Sequence, residues 1–193
     1  MFKKLSLELG GKNPTLIFDD CNYDKMLKTV VRSSFANQGQ ICLCGSRLLI
    51  QSSIYDKFKT DFIREVQKLK VGNPKSPDTN QGALVSKPHM EKVLDYIEIA
   101  KNEGGRILCG GNQVDLSKEG LGGYFVEPTV IEGLDMSCRT NLEEIFGPVV
   151  TIMPFETEDE AVELSNATSY GLAASVWTEN VSRTNRVSDQ LHM

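Results

Sequence analysis

The sequence holds few of the residues that most often announce a site. Among its 193 residues there are two histidines, His89 and His192, one tryptophan, and an aromatic content of only 7%. The five cysteines, Cys21, Cys42, Cys44, Cys109 and Cys138, form an odd set in which Cys42 and Cys44 make a C-x-C with no second pair. A metal centre is therefore not expected, because the usual zinc-ligand spacings are missing. A disulfide framework is equally disfavoured in a chain of this size, and reduced thiols in the cytoplasm are the simpler expectation. Basic residues form no block and no aromatic-interleaved stripe, and the net charge is −5, which speaks against a nucleic-acid partner. No apolar run approaches the roughly 18 residues of a membrane span, so no membrane association is expected. Residues 1–8 put Glu8 where a secretory signal would need its apolar core, and no secretory targeting is expected either.

What is present is the composition of an ordinary globular domain, 40% hydrophobic and 24% charged, long enough to bury a substantial core. Apolar runs alternate with helical patterns. Residues 15–18, 47–50, 106–109, 124–131, 149–155 and 173–177 read as extended. Helices are expected over 23–37, over a second stretch with Tyr55, Phe58, Phe62, Val66 and Leu69 in register, and over 88–103. Two more follow, from a cap at Thr157 to about Asn166 and from a cap at Asn180 through Leu191. Residues 72–78 read as a loop. This alternation predicts an α/β fold, a largely parallel sheet with helices on both faces, in one domain spanning residues 1–193. The abrupt first strand and the uncapped last helix both look like cuts through a larger protein.

Three stretches carry chemistry. Cys42 follows Gly39 at the end of an amphipathic helix, where a sharp change of backbone direction can expose a thiol; a buried inert cysteine is the alternative. Glu8 stands between Leu7 and Leu9 just before Gly10-Gly11, and strand alternation would turn it to the face opposite the leucines, either to solvent or toward a site. Glu143-Glu144-Ile145-Phe146-Gly147-Pro148 precedes a strand, where carboxylates often take ribose hydroxyls, although a merely charged loop would look the same.

Taken together and in order, the motifs say more. Glu8-Leu9-Gly10-Gly11-Lys12, then Asn37-Gln38-Gly39-Gln40-Ile41-Cys42 ending thirty-four positions later, then Glu143-Glu144-Ile145-Phe146-Gly147-Pro148, and finally residues 170–176, resemble the aldehyde dehydrogenase superfamily. The resemblance covers residues 5–193 and is greatest to its 2-aminomuconic semialdehyde dehydrogenase branch. It implies the catalytic domain of that family, with Cys42 rather than Cys44 as the nucleophile and Glu8 as the general base that activates the hydrolytic water. It implies that Glu144 binds the ribose on the nicotinamide side, that Phe146 packs near the nicotinamide, and that Leu9 and Gly10 approach that ring through their backbone. The implied coenzyme is NAD, with NADP not distinguished, and the implied partner is a small-molecule aldehyde, in a parent protein that forms homo-oligomers. It further implies that the family's N-terminal coenzyme domain and C-terminal end lie outside this chain, which would leave the isolated chain with little activity. A CoA-acylating relative and a non-catalytic, crystallin-like relative are the alternatives.

Overall fold

A computed structural model describes residues 2–193. Along its strands, successive side chains point to opposite faces. Ile17, Leu48, Ile50, Val130, Val150 and Ile152 thus face one way, and Leu16, Leu49 and Phe155 the other. Both sets are buried, so both faces of the sheet need covering. In chain order the elements are β1 (Asn13–Ile17), α1 (Tyr23–Phe35), β2 (Gly45–Gln51), α2 (Ser52–Val66), α3 (Lys87–Asn102), β3 (Arg106–Cys109), β4 (Gln113–Val114), β5 (Phe125–Val126), β6 (Thr129–Glu132), α4 (Arg139–Leu142), β7 (Val149–Phe155), α5 (Glu158–Asn166), β8 (Ser175–Trp177) and α6 (Val181–Ser188). Six strands form one sheet in the order β3-β6-β7-β2-β1-β8. All its pairings are parallel except β3 with β6.

Helices α1 and α2 cover the first face through Met26, Val30, Phe35, Phe58 and Phe62. Helices α5 and α6 cover part of the second through Ala161, Val162 and Val187, and α3 packs Val93 and Ile97 against Ile131 and Val149. The expected α/β fold with a largely parallel sheet and helices on both faces is the observed one. The expected caps at Thr157 and Asn180 form, and Asn22 and Ser86 do the same for α1 and α3: each accepts a backbone N–H from the first turn of the helix that follows, which satisfies a donor the helix cannot.

Several boundaries differ from the sequence expectation, each for a local reason. The extended run 124–131 is two strands, not one. Pro128 has no N–H to give to a ladder, so β5 pairs with β4 in a separate two-stranded sheet while β6 joins the main one. The first helix stops at Phe35, because Asn37 and Gln38 adopt left-handed backbone with φ of 50° and 58°. Leu69 lies beyond the end of α2, and Leu191 lies beyond α6, although both still pack on the core. The strand-like reading of residues 7–9 is not met: residues 2–12 have no regular structure, and Leu7, Glu8 and Leu9 are all exposed rather than alternating. The pattern there was two leucines flanking an acid, too short to fix a strand without a neighbour to pair with.

One polar side chain ties the layers together. Arg47 on β2 is 1% exposed. Its Nε donates to Lys12 O at 2.9 Å, and its two terminal nitrogens donate to Leu164 O and Ser165 O, each at 2.7 Å. Leu164 and Ser165 are in the last turn of α5, whose carbonyls have no partner inside the helix, and a cation there also meets the negative end of the helix dipole. Arg47→Met is expected to lower stability by about 3 kcal/mol, because three buried carbonyls lose their donors at once. Urea denaturation of the two proteins at one pH checks this.

Candidate active site

The three chemistry-bearing stretches lie far apart in sequence but feed three adjacent strands. Residues 8–12 lead into β1, residues 40–44 into β2 and residues 143–148 into β7, and the sheet order is β7-β2-β1. Because these strands are parallel, the three entering loops emerge at the same edge, the amino-terminal one, with the Cys42 loop in the middle. A cleft of about 570 Å³ opens there. It is lined by Glu8, Leu9, Gly10, Cys42, Glu144 and Phe146, the six residues singled out from the sequence, and also by Gln40, Ile41, His89 and Lys92.

Short polar contacts stitch the loops together. The Gly11 N–H donates to Glu144 Oε1 at 2.9 Å. The Asn13 side-chain amide donates to Cys42 O at 2.6 Å and to Cys44 O at 3.0 Å, so one buried group holds the backbone on both sides of Leu43. Glycine is required at two of these junctions. A Cβ on Gly11 would stand 2.7 Å from Asn13 Oδ1 and 3.0 Å from Cys42 O. Gly39 has φ of 68°, and a Cβ there would run into the Gly147 carbonyl, so the turn before Cys42 packs backbone to backbone on the Gly147-Pro148 turn. Among the described residues no carbonyl accepts from the Cys42 N–H, which leaves that donor available beside the thiol.

The adjacent acids Glu143 and Glu144 separate cleanly. Glu143 turns away from the cleft, accepting from Arg139 Nε at 2.9 Å and from Tyr96 Oη. The Arg139 hydrogen bond, followed by that of Tyr96, holds its carboxyl down at about 2. Glu144 instead turns into the cleft, one oxygen on Gly11 and the other beside Gly10. Phe146 takes a left-handed backbone with φ of 60°, uncommon for a bulky residue. His89 Nε2 meets its carbonyl oxygen at 2.6 Å, and the two rings are edge to face at 6.0 Å. Lys92, one turn further along α3, donates to Glu144 O at 3.0 Å. His89 and Lys92 were not legible as site residues in the sequence. Their spacing of three puts them on one side of α3, but only the packing of α3 against the 143–148 loop makes that side part of the cleft.

The cysteines also divide. Burial raises the thiols of Cys44, Cys21, Cys138 and Cys109, the last to about 11. Cys42 alone among the five borders the cleft. Among the described residues no three His, Cys, Asp or Glu side chains gather as a metal site, and no helix is long and apolar enough to cross a membrane.

The whole chain, residues 1–193, matches the model of the aldehyde dehydrogenase family. This chain belongs to that family. It is 50% identical over 191 residues to 2-aminomuconic semialdehyde dehydrogenase from Mus musculus, and 50% identical over 192 residues to the enzyme of that name from Homo sapiens. Each alignment covers 98% of this chain and 39% of the relative, so the chain spans about two fifths of the length of these proteins. Among solved structures, betaine aldehyde dehydrogenase from Staphylococcus aureus in complex with NAD+ superposes with a TM-score of 0.90 at 43% identity, covering 95% of this chain and 36% of that one. The family resemblance stated from the motifs therefore holds along the full length, including its leaning toward the 2-aminomuconic semialdehyde branch.

Behind the cleft lies Lys12, 2% exposed. Burial, reinforced by repulsion from Arg47, lowers its amine to about 7. The native state thus prefers the neutral amine above about pH 7, while the unfolded chain keeps the ammonium up to about 10.5. In that window the unfolded state binds more protons, so Lys12 makes stability rise with pH. The unfolding free energy of the native chain should rise from pH 7 to about pH 9 by up to about 3 kcal/mol more than that of Lys12→Met. Denaturant titrations of both proteins at several pH values measure the difference; parallel pH curves would contradict it.

Proposed function

We propose that this chain is the catalytic domain, residues 1–193, of an NAD-linked aldehyde dehydrogenase that oxidises a semialdehyde of the 2-aminomuconic type to the carboxylic acid. The observation that carries the reading is the convergence of Cys42, Glu8 and Glu144 on one cleft from three separate loops. The 2-aminomuconic naming of the relatives supports the substrate class.

The cleft suits the coenzyme. Glu144 is a carboxylate anchored through one oxygen, leaving acceptor capacity for vicinal ribose hydroxyls. Phe146 presents an exposed ring on the wall of the same cleft, and Gly10 lets the Glu144 carboxylate lie directly against the backbone there, where a Cβ would stand 2.6 Å from its oxygen. Glu144 and Phe146 would hold NAD+, with Leu9 and Gly10 against the ring. When bound, NAD+ supplies the hydride acceptor.

The rest follows from the chain's own groups. The Cys42 thiolate adds to the aldehyde carbon, and the Cys42 N–H donates to the oxyanion that forms. Loss of hydride from that tetrahedral adduct leaves an acyl group on Cys42 Sγ as a thioester. Glu8 takes a proton from water, the water attacks the thioester carbon, and Cys42 leaves as thiolate with release of the acid. Asn13 and Gly11 position this machinery: the first fixes the Cys42 carbonyl, the second fixes Glu144. An activated ester such as p-nitrophenyl acetate isolates the second half, since acylation of Cys42 needs no hydride transfer. Glu8→Gln should leave the acylation burst and slow deacylation by about 10²-fold, while Cys42→Ser should abolish the burst.

Glu8 is exposed, and the cleft is open to solvent along residues 5–9. Water-exposed groups of this kind gain little of the electrostatic strength that an enclosed site gives. We therefore expect little or no NADH when the 193-residue chain alone is given NAD+ and an aldehyde, read as absorbance at 340 nm (roughly, the reduced nicotinamide band) against a Cys42→Ser control. Robust NADH formation would show that the open cleft suffices.

A further inference from the structure

Six of the seven arginines in the sequence have a partner. Arg64, Arg106, Arg139, Arg183 and Arg186 pair with carboxylates, and Arg47 with three carbonyls. Among the described residues Arg32 enters no ion pair and no side-chain hydrogen bond. It stands in the last turn of α1 and is exposed. A cation there suits the helix dipole, but a second circumstance singles it out. Arg32 borders a mainly apolar cavity of about 340 Å³ together with Ser33, Ala36, Ile41, Leu43 and Cys44.

Ile41 and Leu43 flank Cys42 in the chain, so this cavity reaches the nucleophile's own loop. None of Glu8, Leu9, Gly10, Glu144 and Phe146 borders it. The Cys42 loop thus borders, besides the cleft, a space of different chemistry. The cleft carries Glu8 and Glu144, with His89 and Lys92, and holds the groups suited to a coenzyme. The other space is apolar, with one uncompensated guanidinium at its wall and no acid among its lining residues.

We propose that Arg32 is a specificity-determining residue that selects aldehydes bearing a carboxylate. The guanidinium pairs with the carboxylate while Ile41 and Leu43 line the carbon chain leading to Cys42. Guanidinium is suited to this because its planar fork matches a carboxylate in two hydrogen bonds. The proposal rests on the reading of Cys42 as the nucleophile and names the substrate feature that the site would recognise.

The test uses the 193-residue chain and two alkylating reagents of nearly equal shape, anionic iodoacetate and neutral iodoacetamide, with Cys42 modification followed by site-resolved mass spectrometry. In each protein the ratio of the two rates is an internal measure, so a general change in folding or thiol exposure cancels. Arg32→Gln should lower the iodoacetate-to-iodoacetamide ratio about threefold, the size expected for one charge acting across a short stretch of water-like dielectric. Arg32→Lys should keep most of the native ratio, and added salt should erase the native advantage. In parallel, succinic semialdehyde should protect Cys42 from iodoacetamide at several-fold lower concentration than butanal does, and Arg32→Gln should remove that difference. An unchanged ratio and equal protection in native and Arg32→Gln proteins would overturn the role of Arg32 while leaving Cys42 as the nucleophile. A Cys42 that reacts with neither reagent would instead overturn the reading of the nucleophile itself.

Discussion

Everything at the cleft depends on three parallel strands lying side by side. With β2 between β7 and β1, loops separated by more than a hundred residues emerge at one edge within hydrogen-bonding distance. The common rule for open α/β sheets places ligands at the carboxyl ends of strands. Here the chemistry-bearing loops precede their strands, so they gather at the opposite, amino-terminal edge. What holds them there is small: one N–H from Gly11 to Glu144, one amide from Asn13 to the Cys42 and Cys44 carbonyls, and the close backbone approach at Gly39.

Beneath that edge the protein accepts an electrostatic cost. Lys12 and Arg47 are both almost fully buried and repel one another. Arg47 is compensated by three carbonyls, two of them the unpaired acceptors at the end of α5, whereas Lys12 responds by giving up its proton more readily. The first arrangement fastens the second helical layer to the strand that carries the Cys42 loop.

The adjacent pair Glu143 and Glu144 shows how little residue type alone decides. Both are acids on the same loop, yet one is bound by Arg139 and Tyr96 and serves the packing of α3 and α4. The other meets only a backbone N–H and keeps an oxygen toward the cleft. His89 and Lys92 make the reverse point. Nothing in their local sequence marks them, and they belong to the cleft because α3 packs its edge on the loop that carries Phe146.

The sequence by itself determined the alternation of strand and helix, the helix caps at Thr157 and Asn180, and the ordered motifs around Glu8, Cys42 and Glu144. These are local properties, written in the period of the apolar residues and in short runs of fixed type. It did not determine that residues 7–9 stay irregular, that Pro128 divides one extended run between two sheets, that His89 and Lys92 join the cleft, or that Asn13 holds the Cys42 loop. Those outcomes depend on which segments become neighbours, and neighbours are chosen by strand order and by burial on both sheet faces. The tertiary structure alone decided that three distant loops share one edge, because parallel pairing fixes where each loop emerges and no single loop carries that information.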